Sequence, residues 1–134
     1  VRYLLDEEEK FGIKKYQTYL NFSKKVYKIR DNVRKNILKL KENGTKIIGY
    51  GSPAKATTAL NFFGISKEID CIVEDNKLKH GKFLPGMKIP IVSKSNIKDK
   101  PDYALVLAWN FINEIKRKNI DLAHKFISIK DLEN

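Results

Sequence analysis

The 134 residues are 42% hydrophobic and 32% charged, an ordinary globular composition, and the length suits one domain with its own core. No apolar run approaches the ~18 residues that cross a bilayer and no signal-peptide pattern opens the chain. The single Cys71 excludes an internal disulfide or a multi-cysteine zinc site and fits a reducing cytoplasm. The net charge of +11 is spread over both halves and is mostly lysine, without zinc-finger or RNA-recognition spacing, which argues against nucleic acid as a partner.

In chain order, "VRYLLDEEEKFGI" predicts a short helix stopped near Gly12. The first residue is Val1 rather than Met, so a piece of a longer protein is expected. A long helix follows from Thr18 to Glu42. Its apolar residues Tyr19, Phe22, Val26, Ile29, Val33, Ile37 and Leu40 recur every three or four positions, and Asn43-Gly44 supplies a stop. About 25 helical residues span ~37 Å, more than the domain behind them needs. Part of this seam is therefore expected to pack on another domain or on a second copy of the chain.

From Thr45 strands and helices alternate. "KIIGY" reads as a buried strand, Pro53 to Phe63 as a helix, and "IDCIVED" as a second strand in which Cys71 is expected to be buried. "KIPIVS" reads as a short strand or an extended edge, since Pro90 argues against a central place. "YALVLAW" is a third clear strand, Asn110 to Asn119 a helix, and "KFISI" a closing strand. The expectation is an α/β, Rossmann-like three-layer fold with a mostly parallel sheet over residues 45–134, preceded by a helical lead-in over 1–44.

The turn "GYGSPAK" carries the clearest chemistry. Gly49 and Gly51 allow a tight turn and close approach of a phosphate, while Ser52 as N-cap and Pro53 in the first helical position aim free amides at the site. Lys55 adds a charge on the first helical turn. Gly49, Gly51 and Ala54 also fit G-x-G-x-x-A, with Glu74 twenty residues past Ala54 at a strand end. The alternative is that the glycines serve only strand–helix packing. Glu74 and Asp75 end the second strand, where an acid accepts from sugar or ribose hydroxyls or is merely solvated. Trp109 and Asn110 end the third, as a stacking platform or as core and cap. Seven lysines between residues 77 and 100 face one acid, Asp99, which biases a nearby pocket toward anions. His80 lies in a loop near enough to Glu74 to reach that pocket; it has no partner at ligand spacing, and no metal site is expected.

The stretches "GYGSPAKATTALNFFGI", "IDCIVEDNKLKHGKFLPGMKIPIV" and "PDYALVLAWNFINEI" resemble the C-terminal domain of S-adenosylmethionine-dependent sugar C-methyltransferases. The leading "LLDEEEKFGI" and "YQTYLNFSKKV" fit the segment before that domain, so the resemblance covers nearly the whole chain. It implies that a zinc-bearing domain and a methyl-donor domain precede this one, and that a nucleotide-linked keto-deoxysugar or related glycan is held against the latter. Gly49, Tyr50, Gly51, Ser52, Ala54 and Lys55 would line the nucleotide or its diphosphate; Asp75, Lys79, Trp109 and Asn110 would line the same cleft. His80 stands where glutamine is common, an arginine is usual after the acid of "VEDN", and the ending "FISIKDLEN" is less apolar than usual, which leaves the sugar and the base open. The implied reaction is enolisation beside a keto carbon and attack of the carbanion on the donor methyl. Base and donor pocket would lie in the middle domain, so no catalytic residue and no bound cofactor are expected here. Two other readings stand beside it: an NAD-type dinucleotide module, on G-x-G-x-x-A and Glu74, and a basic interaction adaptor, on charge and the long helix alone.

Overall fold

In the computed structural model, which describes residues 1–134, helix α1 (Arg2–Phe11) stops at Gly12. That residue sits at φ 77 and its N–H bonds the Glu8 and Glu9 carbonyls, the left-handed ending glycine adopts without a Cβ penalty. Helix α2 (Tyr16–Glu42) begins two residues before the expected start. Only Val33 and Ile37 of its seam are fully buried, while Tyr19 and Phe22 remain 57% and 66% exposed. The second half of α2 packs on helix α3 (Ala54–Phe63) and on the end of the chain. There the Asn32 side chain donates to the Glu133 carbonyl at 2.9 Å, and Asn36 donates to those of Leu132 and Asn134.

Five parallel strands follow: β1 (Ile47–Tyr50), β2 (Ile72–Val73), β3 (Ile91–Val92), β4 (Tyr103–Val106) and β5 (Lys125–Ile127). Their spatial order is β3-β2-β1-β4-β5, with β1 paired to β4 from Ile47↔Tyr103 to Tyr50↔Val106. The chain is thus α/β with an all-parallel sheet, and β3 lies at an edge, the place Pro90 allows. Period-2 alternation assigns side chains to two cores. Ile47, Ile72, Leu105 and Ile127 join α2 and α3 on one face; Ile48, Tyr50, Val73 and Ala104 meet Ile115 of the short helix α4 (Ile112–Lys118) on the other.

Several local readings shift. β2 is two residues rather than seven, and Cys71 beside it is half-buried, not buried; burial, then the Asp70 charge, still pushes its thiol up. The last strand ends at Ile127 because Ser128 opens a tight turn, its N–H and hydroxyl both donating to Asp131 Oδ2. Helix α4 is preceded by a 3-10 turn over Trp109–Phe111. Pro53, not Ser52, occupies the N-cap of α3. Ser52 has been drawn away by a stronger acceptor, described next.

Candidate functional site

The chain leaves β1 toward α3 on one face of the sheet and leaves β4 toward α4 on the other. Between those divergent exits a crevice opens at the carboxyl ends of the strands, the usual ligand position in an open parallel sheet. Here it is a cleft of about 330 Å³, lined by the turn Tyr50–Pro53, by Glu74, Asp75 and Lys79 after β2, and by Ala108, Phe111, Glu114, Ile115, Lys118 and Asn119. Gly51 makes the turn possible at φ 82. Gly49 does something else: a Cβ there would lie 2.9 Å from Ile72 Cγ1 and 3.2 Å from Leu107 Cδ1, so its bareness serves packing under the sheet.

Glu74 dominates the floor. Its Oε2 accepts from the Ser52 amide at 2.9 Å and the Ser52 hydroxyl at 2.5 Å, with Lys79 Nζ at 3.4 Å. Oε1 accepts from the Asn76 amide at 3.1 Å. Lys79 also donates to the Ser52 carbonyl at 3.0 Å. Burial pushes this carboxyl up, but the Ser52 hydroxyl, the Asn76 and Ser52 amides and the Lys79 charge outweigh it and bring it down to about 2. The negative charge that a helix start attracts is supplied from within the chain.

Tyr50, Asp75 and Asn119 form a second network. The Tyr50 hydroxyl donates to both Asp75 oxygens, at 2.9 and 3.0 Å, and accepts from Asn119 Nδ2 at 3.0 Å. Tyr50 and Asn119 are buried, at 4% and 7% exposure, whereas Asp75 is exposed. Burial first, then the Asp75 carboxylate, drives the phenol up to about 12, so it stays a neutral donor.

Of the twelve residues the sequence singled out, Tyr50, Gly51, Ser52, Glu74, Asp75 and Lys79 line the cleft. Gly49, Ala54, Lys55, His80, Trp109 and Asn110 do not. Lys55 Nζ lies 4.2 Å from the centre of the Trp109 ring, a cation–π contact outside the lining. His80 Nε2 is 2.6 Å from the Glu74 carbonyl, so it braces the β2 loop instead of reaching the cleft. Of the seven lysines between 77 and 100 only Lys79 lines it; Lys94, Lys98 and Lys100 surround a separate depression with Asp121. Asn119, Lys118, Glu114 and Phe111 were missed. Their one signal was that "WNFINEIKRKN" follows the third strand, so its first turns had to border the same edge.

No group of three or more His, Cys, Asp or Glu side chains converges to hold a metal. A dinucleotide or S-adenosylmethionine would ask the acid ending β2 to accept from ribose hydroxyls. Glu74 faces the turn with both oxygens engaged, so it does not offer that acceptor; of the two acids after β2 only Asp75 is open to the cleft. No helix is long and apolar enough to cross a membrane.

Two comparisons with known proteins bear on this arrangement. The chain is similar to the C-methyltransferase NovU of Streptomyces niveus, 36% identical over 114 residues, which cover 84% of this chain but 27% of that protein. The chain thus spans about a quarter of that relative's length. The family described as the C-methyltransferase C-terminal domain matches residues 1–128, and this chain belongs to it.

Proposed function

We propose that this chain is the substrate-binding domain of an S-adenosylmethionine-dependent C-methyltransferase acting on a nucleotide-linked keto-deoxysugar or related glycan precursor. The observation that carries the reading is the cleft at the β1/β4 divergence, polar and open, in a chain of this family. The methyl donor supplies an electrophilic methyl group when bound elsewhere in the enzyme. The residues of this chain bind and orient the acceptor, with Glu74 held ionised by its hydrogen bonds to the turn and Tyr50 held neutral. The inward-facing Glu74 does not offer the ribose acceptor that the dinucleotide alternative placed on it, which speaks against that alternative.

The exposed apolar side chains of α1 and early α2, among them Leu4, Phe11, Tyr16, Tyr19 and Phe22, suit contact with the methyl-donor part of the enzyme or with a second copy of the chain. A thermal-shift panel tests the main reading, with dTDP-glucose, UDP-glucose, GDP-mannose, NAD and S-adenosylmethionine as probes. Stabilisation by a nucleotide sugar is expected, about 2.7 kcal/mol at a hundredfold excess over Kd. Stabilisation by NAD or S-adenosylmethionine instead would overturn the reading.

A further inference from the structure

The polar groups of the cleft differ in what they have left to offer a ligand. Its lining carries two lysines, Lys79 and Lys118, against three carboxylates, Glu74, Asp75 and Glu114, in a chain whose net charge is +11. Lys79 is engaged by the Ser52 carbonyl and Glu74, and Lys118 by Glu114 at 2.6 Å. The Ser52 amide, the turn donor a phosphate would use, is already held by Glu74. Asp75 stands apart. Its two oxygens share a single tyrosine proton, it is exposed, and the buried Tyr50–Asn119 pair holds it in place. Phe111, 60% exposed on the same lining, offers an apolar ring face. A fixed acceptor and an aromatic face on one lining, with both lysines already paired to carboxylates, suit neutral hydroxyl donors on a ring better than a diphosphate.

We infer that this cleft seats an uncharged, hydroxyl-bearing ring of the ligand, with Asp75 accepting its hydroxyls, and that the diphosphate lies outside it. This rests on the substrate-domain reading and names the part of the substrate the domain holds. Asp75 touches the ring; Tyr50 and Asn119 are positioning residues.

The test is backbone-amide NMR of the chain with four probes: methyl glucoside, uridine, inorganic pyrophosphate and UDP-glucose. The amides of Gly51, Asp75 and Phe111 are expected to move with UDP-glucose and with at least one uncharged probe, and to stay still with pyrophosphate. Methyl glucoside against uridine tells a hexose from a ribose. Asp75→Ala is expected to weaken UDP-glucose about tenfold, and Asp75→Asn, which keeps an acceptor oxygen, to weaken it less. Tyr50→Phe is expected to weaken it in the wild type but not in the Asp75→Ala background, a coupling that general loosening of the fold would not produce. Movement of the cleft amides by pyrophosphate, lost in Lys118→Met, overturns the inference and leaves the substrate-domain reading standing; so does wild-type affinity in Asp75→Ala. No response to any of the four probes overturns both.

Discussion

Glu74 shows how one side chain redirects the reading of a motif. As the acid ending a strand beyond a glycine turn, it was placed correctly along the chain, yet its direction was not legible. Local sequence is the same for an acid facing solvent, a ribose or the chain itself. The decision came from the Ser52 amide and hydroxyl, twenty-two residues away and 2.9 and 2.5 Å distant in space. A carboxyl lowered from 4.5 to about 2 stabilises the fold fully above pH 4.5, and that contribution is lost as pH falls toward 2. Urea unfolding midpoints across pH 2–6 should therefore show an acid-side slope that Glu74→Gln lacks. At pH 7, Glu74→Ala should destabilise the chain by about 2 kcal/mol, since it strands the buried Ser52 donors. A variant with wild-type stability and slope would remove Glu74 from the architecture of the turn.

At the scale of an element, strand, turn and helix around Gly49–Phe63 were legible because their signals are local: an apolar run, a glycine at positive φ, a proline at a helix start. The two glycines were not equivalent, and spacing alone could not separate them. Gly51 is needed for its backbone, at φ 82, and Gly49 for the space that Ile72 and Leu107 leave no Cβ to fill. Gly49→Ala should accordingly cost about 1–3 kcal/mol through overpacking. Gly51→Ala should cost about 1–2 kcal/mol through left-handed strain. Chemical denaturation of both variants checks this, and trimming the neighbour separates the causes: Ile72→Ala, which removes the Cγ1 that the new methyl would meet, should cost less in the Gly49→Ala background than in the wild type, and no less in the Gly51→Ala background. The helix start was misplaced by one residue because the expected cap, Ser52, found a charged acceptor elsewhere. Pro53, which has no N–H to satisfy, took the position at little cost.

At the scale of the molecule, α2 divides into a half that belongs to this core and a half that does not. Ile37→Ala should cost about 2–5 kcal/mol, the range for emptying a fully buried site, whereas Phe22→Ser should change stability by less than about 0.5 kcal/mol. Equal losses in urea unfolding would mean that early α2 is packed in solution on something the chain itself supplies. The seam was continuous in sequence, and its excess length was readable, since periodicity and rise per residue are properties of the backbone. Sequence alone likewise determined the alternation of elements, the parallel sheet, the edge position of β3 and the turn that opens the cleft, because each follows from short-range sterics and period. Only the tertiary structure decided which partner each polar group took: Glu74 with Ser52, Lys55 with Trp109, Asn119 with Tyr50. Those choices depend on distances between residues 22 to 69 positions apart, which exist only once the sheet has brought its strand ends together.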